Sequence, residues 1–273
     1  MSALKVARQP IPAGLAAQHR LASKLVYSKV QARLGGRLRI GISGGAPLAK
    51  EVAEFFHSLD ILILEGYGLT ECTSAATVNR VDGYRFGTVG PALPGTELRL
   101  GEDDELLIKS DTVFLGYFKE PDATRAVLGE DGWLHSGDVA SIDADGFVTI
   151  TDRMKDLLIT AGGKNVAPAN LEGLLKASSY VSQAVVVGDR RPYVAALITL
   201  EASAHGLPDI QERIQAVVDE ANAELSRYEQ IKRFRILSRD FSAEAGEITP
   251  TLKLKRKVVQ EHFAAEIDAL YAE

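Results

Sequence analysis

The sequence predicts a mixed fold of two domains, an α/β region that continues into a β-rich subdomain and then a small α+β domain. The chain has 273 residues, whereas single domains commonly hold about 100 to 200 residues. Near Thr88 the hydrophobic spacing changes from alternating helix and buried strand to a period of two, and near Thr151 it changes again. We therefore expect an α/β layer at 1–87, a β-rich subdomain at 88–152 and a second domain at 153–273.

The α/β layer is predicted from an alternation of helix and strand patterns. Apolar residues recur at helical spacing over 14–34, and a pair of glycines ends that helix. A short strand at 37–42 and a helix at 48–59 follow. The run at 61–64 is apolar on both faces, which is typical of a buried strand. Strands that alternate with helices indicate an α/β layer.

The later elements follow from the same kind of spacing. Period-two alternation predicts strands at 97–100, 105–109 and 147–150. The second domain shows, in order, patterns of strand, glycine turn, helix, two strands, helix, strand and a last helix. The seven bounded patterns lie at 157–160, 162–163, 171–177, 183–187, 193–200, 210–225 and 232–237.

Composition excludes several classes of function. Lys and Arg number 31 and Asp and Glu number 37, which gives a net charge of −6, so no nucleic-acid partner is expected. The single cysteine, Cys72, cannot form an internal disulfide, which favours the reducing cytoplasm. No apolar run approaches the roughly 20 residues of a membrane span, and 1–12 lacks a secretory signal pattern. At most peripheral membrane contact is expected.

The first candidate for chemistry is Glu65-Gly66-Tyr67-Gly68-Leu69-Thr70-Glu71, directly after the predicted buried strand. Its two glycines let the backbone approach a ligand closely. The Thr70 hydroxyl can donate to a phosphate, and Glu71 can hold a Mg²⁺ ion that neutralises phosphate charge. The alternative is a tight turn with a helix N-cap at Thr70.

Two further candidates lie downstream. Asp138 follows a glycine, where its two oxygens can accept both hydroxyls of a ribose; the alternative is a turn residue, with His135 a packed or solvated histidine. Asp152-Arg153-Met154-Lys155-Asp156 joins the two predicted domains, and the turn Gly162-Gly163 follows it. The alternative for these is a charged linker and an ordinary hairpin.

The last candidate is the basic segment 247–257, which contains Lys253. Its alternative is the solvated basic start of the last helix.

Taken together and in this order, the segments resemble those of the adenylate-forming enzymes, and within them the long-chain fatty acid–CoA ligases. The resemblance spans about 24–259. Gly44-Gly45-Ala46-Pro47 resembles the family's adenine-side loop, Tyr67-Gly68-Leu69-Thr70-Glu71 its phosphate and magnesium motif, and Ser136-Gly137-Asp138 its ribose motif. This resemblance implies the end of the family's large N-terminal domain, followed by its mobile C-terminal lid domain.

The same resemblance implies roles in the second domain. Asp152-Arg153-Met154-Lys155 is similar to the interdomain hinge, where Arg153 also reaches the nucleotide and Lys155 is the pivot. The segment 248–256 is similar to the family's lysine motif in its long-chain acyl form. Lys253 is then the lysine that bridges carboxylate and α-phosphate, and Gly162-Gly163 faces the pantetheine arm of CoA.

The implied reaction converts ATP, a long-chain fatty acid and CoA to acyl-CoA, AMP and diphosphate. Mg²⁺ is the implied metal, with Glu71 its ligand, and Lys253, Thr70 and Glu71 are the implied catalytic residues.

This sequence departs from the family in one important respect. The family's lysine-ending phosphate loop lies upstream of the adenine-side loop and has no counterpart here. We therefore expect the missing N-terminal half as a partner, and no activity from this chain alone. A smaller departure is Asp104, where the family usually has glycine. Two alternatives remain: an acyl-AMP ligase that loads a carrier protein, and a non-catalytic module that binds AMP or acyl-adenylate.

Overall fold

The computed structural model describes residues 12–250 and 253–272. Its described residues form four sheets with helices between them. This mixed architecture confirms the predicted fold class. The chain divides into two compact units, Met1–Thr151 and Asp152–Glu273, and each is described separately.

A long helical segment opens the first unit, as the spacing predicts. It consists of α1 (Ala13–Ala22), a π-helical stretch (Ser23–Tyr27) and α2 (Ser28–Arg33). None of the residues in these three stretches is buried.

The α/β layer is built from β1 (Ile40–Ser43), α3 (Lys50–Ser58) and β2 (Leu62–Leu69). β1 and β2 are parallel and pair from Ile40 with Leu62 to Ser43 with Glu65. A third strand, β3 (Ser74–Val78), pairs antiparallel with β2. The strand–helix–strand prediction is therefore confirmed, whereas β3 was not predicted.

β2 is longer than its apolar run, because it continues through Tyr67 and Gly68. A side chain at Gly68 would place its Cβ only 1.6 Å from the Ser74 carbonyl oxygen, so this position must be glycine for β2 and β3 to pair. Residues 65–69 of the segment thus lie within the strand and not after it, whereas Thr70 and Glu71 follow it. The N-cap alternative at Thr70 is wrong, because Leu69 precedes a short 3₁₀ turn, Thr70–Cys72, with no side-chain hydroxyl cap.

The β-rich subdomain is a four-stranded sheet in the order β4-β5-β6-β7. Three of its strands match the predicted ones, whereas β6 and the helix α4 (Pro121–Val127) were not predicted. Turn-forming residues in the sequence of β6 conceal the strand. The four strands are β4 (Thr96–Leu100), β5 (Glu105–Ser110), β6 (Leu134–Ile142) and β7 (Val148–Arg153).

The second unit is built on a three-stranded sheet in the order β10-β11-β12. The central strand β11 pairs antiparallel with β10 and parallel with β12. Every residue of β11 is buried, because alternate side chains enter a core on each face of the sheet. The strands are β10 (Val181–Val187), β11 (Val194–Leu200) and β12 (Ile231–Ile236).

Four helices cover this sheet. α5 (Pro168–Lys176) and α6 (Ile210–Ala223) contribute Leu171, Leu175, Ile214 and Val218 to one core. α7 (Arg256–His262) and α8 (Ala264–Tyr271) contribute Val259, Ile267 and Leu270 to the other. A small hairpin of β8 (Leu158–Ile159) and β9 (Asn165–Val166) precedes them. In the part of the chain that the structure describes, no helix is long and apolar enough to cross a bilayer.

Candidate active site

The loop Gly44-Gly45-Ala46-Pro47 leaves the carboxyl end of β1 and lies against the neighbouring strand. A Cβ on Gly44 would be 3.1 Å from the Gly66 carbonyl oxygen, and Gly45 has a φ of +81°. Glycine suits both positions, one for close approach and one for a left-handed backbone. The structure thus places this loop beside the Tyr67 segment in the first unit.

Glu65 fixes that loop, a role that the sequence analysis does not assign to it although it lies in the first candidate segment. Its carboxylate is 8% exposed and accepts the Leu48 N–H at 3.3 Å. Burial raises the pKa of Glu65, although hydrogen bonds from the backbone of Leu48 and Gly87 oppose the shift. The only local signal is a carboxylate at the end of an apolar strand.

Tyr67 and Asp138 form the central contact of the first unit. The Tyr67 hydroxyl donates to Asp138 Oδ2 at 2.5 Å across 71 residues of chain. Burial raises the pKa of Tyr67, and the neighbouring Asp138 carboxylate raises it further. The phenol therefore keeps its proton and orients the buried carboxylate.

Asp138 owes its position to an irregularity in β6. Glu105 of β5 pairs with Val139 of β6, and Leu107 pairs with His135. A step of two residues on β5 thus lies opposite a step of four residues on β6, so β6 bulges. The Glu105 carboxylate holds the bulge, because it accepts the Gly137 N–H at 2.9 Å and contacts His135 Nδ1 at 2.7 Å. His135 is thus a partner of Glu105, and sequence reasoning missed the role of Glu105.

Thr70 and Glu71 lie in the 3₁₀ turn that follows β2. The Tyr117 hydroxyl donates to Glu71 Oε1 at 2.6 Å, and the Phe114 N–H donates to the Glu71 carbonyl oxygen at 2.7 Å. The hydrogen bond to Glu71 raises the pKa of Tyr117. One loop therefore fixes both the backbone of Glu71, through Phe114, and its half-buried carboxylate, through Tyr117.

Glu71 fits a magnesium ion by the chemistry of its donor atoms. Among the described residues, no group of three or more His, Cys, Asp or Glu side chains is arranged to hold a metal. Mg²⁺ does not need such a group, because it commonly takes one or two carboxylates together with water and substrate phosphates.

The second unit begins with the predicted hinge segment. The Asp152 carboxylate is 5% exposed, and its Oδ1 accepts the Arg153 N–H at 2.6 Å. Lys155 is exposed within a turn closed by the N–H groups of Asp156 and Leu157, which both donate to the Arg153 carbonyl oxygen. Burial raises the pKa of Asp152 to about 6, more than its hydrogen bonds and the charge of Arg256 lower it.

The turn Gly162-Gly163 connects β8 to β9. The Gly163 N–H donates to the Thr160 carbonyl oxygen at 2.8 Å, and the Lys164 N–H donates to the Thr160 hydroxyl at 3.2 Å. Gly163 has a φ of +72°, and no other group lies within 4 Å of a Cβ placed there. The predicted glycine turn is confirmed; it closes a hairpin of β8 and β9 and is open on the surface.

Lys253 lies in a short hairpin before α7. Ile248 and Leu254 form an isolated antiparallel bridge, and the Lys253 N–H donates to the Thr249 hydroxyl at 2.9 Å. The side chain of Lys253 is exposed. Two residues of the sequence motif, Thr251 and Leu252, lie outside the described residues.

The predicted residues thus divide between the two units. The first unit holds the adenine-side loop, Tyr67, Gly68, Thr70, Glu71 and Asp138 at the ends of β1 and β2 and at the bulge of β6. The second unit holds Arg153, Lys155, Gly162, Gly163 and Lys253.

Comparison with known proteins points to one kind of chemistry. A family model described as "AMP-binding enzyme" matches residues 10–118, and one described as "AMP-binding enzyme C-terminal domain" matches residues 155–273. The long-chain-fatty-acid–CoA ligase FadD15 of Mycobacterium bovis is 44% identical over 276 residues, which cover 94% of this chain and 46% of that protein. The chain spans about half the length of the curated relatives it matches.

Solved structures agree with these matches. The adenylation domain of a carboxylate reductase from Mycobacterium chelonae is 30% identical, with a TM-score of 0.77, over 100% of this chain and 44% of that one. The A-PCP didomain of carboxylic acid reductase from Segniliparus rugosus, in complex with AMP, is 26% identical. Its TM-score is 0.71, over 93% of this chain and 40% of that one.

The buried Asp152 predicts a pH-dependent stability. Between its ordinary pKa of 3.8 and about 6, the folded chain binds a proton that the unfolded chain releases. Asp152 therefore costs stability progressively as the pH rises through this window. In urea unfolding, Asp152→Asn should raise the free energy of unfolding by about 2 kcal/mol at pH 7.5 and much less at pH 4.

The exposed variant Asp219→Asn is the matched control for loss of one carboxylate in the same unit. An equal effect of Asp152→Asn at both pH values would contradict the burial argument.

Proposed function

We propose that this chain, which belongs to the AMP-binding enzyme family, supplies the C-terminal part of a long-chain fatty acid–CoA ligase. The observation that carries the proposal is the 44% identity with FadD15 across 94% of this chain. The mobile lid domain is then the predicted 153–273, which lies within the second unit, Asp152–Glu273. The partners are ATP, a long-chain fatty acid, CoA and an N-terminal half that carries the phosphate loop.

In the first half-reaction, an oxygen of the fatty acid carboxylate attacks the α-phosphorus of ATP, and diphosphate leaves. Two anions must approach each other, and the Lys253 ammonium offsets their repulsion. Glu71 would hold Mg²⁺, which would neutralise further charge on the phosphates. Thr70 donates to a phosphate oxygen, while Asp138 binds the ribose hydroxyls with its carboxylate oriented by Tyr67.

The adenine-side loop and Arg153 complete the nucleotide site. Gly44, Gly45, Ala46 and Pro47 present backbone to the adenine from the end of β1. The loop is rigid because Glu65 binds the N–H of the residue that follows it, Leu48. Arg153, with its permanent positive charge, reaches the nucleotide from the start of the second unit.

In the second half-reaction, the CoA thiolate attacks the acyl carbonyl carbon of acyl-AMP, and AMP leaves. Lys253 occupies the site in the first half-reaction and must vacate it for the second, so the second unit turns about Lys155. The open turn Gly162-Gly163 then faces the pantetheine arm, where missing side chains allow close approach.

The proposal is tested with a joined protein, in which the N-terminal part of Mycobacterium bovis FadD15 that this chain does not match precedes this chain. With ATP, Mg²⁺, a long-chain fatty acid and CoA, the joined protein should form acyl-CoA. This chain alone should form none, because the β- and γ-phosphates lack their cradle. Steady diphosphate release by the chain alone, above a Lys253→Ala control, would contradict this expectation.

The same assay addresses two other functions. Similarity to the A-PCP didomain favours a second candidate, an acyl-AMP enzyme that passes its acyl group to a carrier protein. Acyl transfer to a carrier protein but not to CoA would support it. A joined protein that binds AMP without turnover would instead indicate a non-catalytic module.

Lys253→Ala in the joined protein should slow adenylation roughly a hundredfold or more, because one preorganised charge contact to the transition state is lost. Acyl-CoA formation from supplied acyl-adenylate should change by less than about twofold, since Lys253 acts only before that step. The two half-reactions are measured by diphosphate release and by thioester formation. Lys257→Ala, on the exposed face of α7, is the matched control. Normal adenylation by Lys253→Ala would indicate that Lys253 is only part of a solvated basic surface.

Lys155→Pro should affect the two half-reactions by different factors, because proline fixes φ near −65° and so restricts the turn at Arg153–Leu157 to one orientation. Lys155→Ala removes the same side chain but leaves φ free, so it should change both rates little. Equal losses in both half-reactions for the proline variant would argue against a hinge at this position.

A further inference from the structure

The hairpin that carries Lys253 begins at a fully buried carboxylate. Glu247 is 0% exposed and forms a two-pronged ion pair with Arg239, at 2.7 Å to Oε2 and 2.6 Å to Oε1. The Ser242 N–H donates to the same carboxylate at 3.0 Å, and His262 Nδ1 lies 3.0 Å from Oε1. All the partners of Glu247 therefore belong to the second unit itself.

The hairpin ends at a second buried ion pair. Arg256, three residues after Lys253, bonds Glu172 through Nη1 at 2.6 Å and Nη2 at 3.0 Å. Glu172 lies on α5 and also accepts the Val186 N–H at 2.7 Å, which links the pair to β10. Both side chains of this pair are largely shielded from water.

Backbone hydrogen bonds connect these two ion pairs to Lys253. The Lys255 N–H donates to the Glu247 carbonyl oxygen at 2.7 Å, and the Thr249 N–H donates to the Lys253 carbonyl oxygen at 2.8 Å. A displacement of Glu247 therefore moves the residue pairs that flank Lys253 on both strands of the hairpin. Loosening Arg256 frees the other end of the same segment.

The Glu247 anchor persists across the working pH range. Hydrogen bonds from Arg239 lower the pKa of Glu247 to about 2, against the opposite effect of burial. The carboxylate is therefore charged at neutral pH, and removing its charge leaves Arg239 without its main partner. Two-pronged contacts between a guanidinium and a carboxylate also fix direction as well as distance.

We propose that Glu247 and Glu172, with Arg239 and Arg256, are positioning residues for the adenylation step, because they hold the hairpin that presents the Lys253 ammonium. This inference rests on the proposed function. A hairpin tied at both ends to the core of its own unit carries its lysine as part of a rigid body, so the ammonium arrives in the geometry that attack on the phosphate requires.

The test uses the joined protein with Glu247→Gln, which keeps the shape and removes the charge. Adenylation should fall about tenfold to a hundredfold, because misplacement of a catalytic group by about 1 Å has effects of this size. Thioester formation from supplied acyl-adenylate should stay within about twofold of the parent value. Glu244→Gln removes an exposed charge from the same segment and is the matched control.

A second variant and a second measurement guard against a simple loss of folding. Arg239→Gln breaks the same contact from a half-exposed side chain and should show the same selective loss, whereas Arg239→Lys should recover part of it. Amide hydrogen exchange on this chain alone should be faster at Lys253 and Lys255 in both Gln variants. Exchange in β11 should be unchanged.

The outcomes separate this inference from the proposed function. Normal adenylation by Lys253→Ala overturns the assigned role of that lysine, and the positioning role with it. If Lys253→Ala is inactive in adenylation but Glu247→Gln and Arg239→Gln match the parent protein, the anchoring proposal alone is wrong. Equal losses in both half-reactions, with unchanged exchange at Lys253, also overturn it, because they indicate a general structural role.

Discussion

A carboxylate removed from water must be met by donors or by a positive charge, and this constraint organises the chain. Glu65, Glu172 and Glu247 are each almost fully buried. Each accepts a backbone N–H from another segment, namely Leu48, Val186 and Ser242. An unmet charge at any of these positions would cost several kcal/mol. The segments that carry these N–H groups are therefore held in the positions where they can donate to the carboxylates.

The Glu105 carboxylate, at the start of β5, also binds groups from a neighbouring segment. Its carboxylate holds Gly137 and His135, so the bulge in β6 directs Asp138 toward Tyr67. Glu65, Glu105 and Glu172 lie on β2, β5 and α5, whereas Glu247 lies at the start of the lysine hairpin. Rigid elements thus position the segments that bear the candidate residues.

The sequence predicts much of the fold because its strongest signals are local. The spacing over 183–187, 193–200 and 210–225 identifies two strands and a helix of the second unit, with bounds within a few residues of the observed ones. β3 and β6 escape prediction because glycine and serine in and around them favour turns when no partner strand is known. Pairing with β2 and β5 overrides that local preference.

The residues of the candidate site also differ in whether the sequence can identify them. Motif residues such as Asp138 and Lys253 stand out because their neighbours in sequence are distinctive. The glutamates that hold these segments do not stand out, because their partners are distant in sequence. Glu65 binds a backbone N–H 17 residues away, Glu105 a backbone N–H 32 residues away, and Glu172 a guanidinium 84 residues away. No pattern of nearby residues encodes such contacts, so they emerge only when the chain is folded.

Two carboxylates of the second unit show that hydrogen bonds can outweigh the effect of burial on the pKa at one position and not at another. For Glu247, hydrogen bonds from Arg239 outweigh burial and lower the pKa, so charge and contact are permanent. For Asp152, burial outweighs its hydrogen bonds and the charge of Arg256, so the folded state disfavours the charged form. Glu247 therefore binds the lysine hairpin to the core of its own unit, whereas the surroundings of Asp152 do not favour its charge. Under the proposed function, a lid that turns as a rigid body needs the first of these two contacts, because the hairpin and its lysine have to move with the unit.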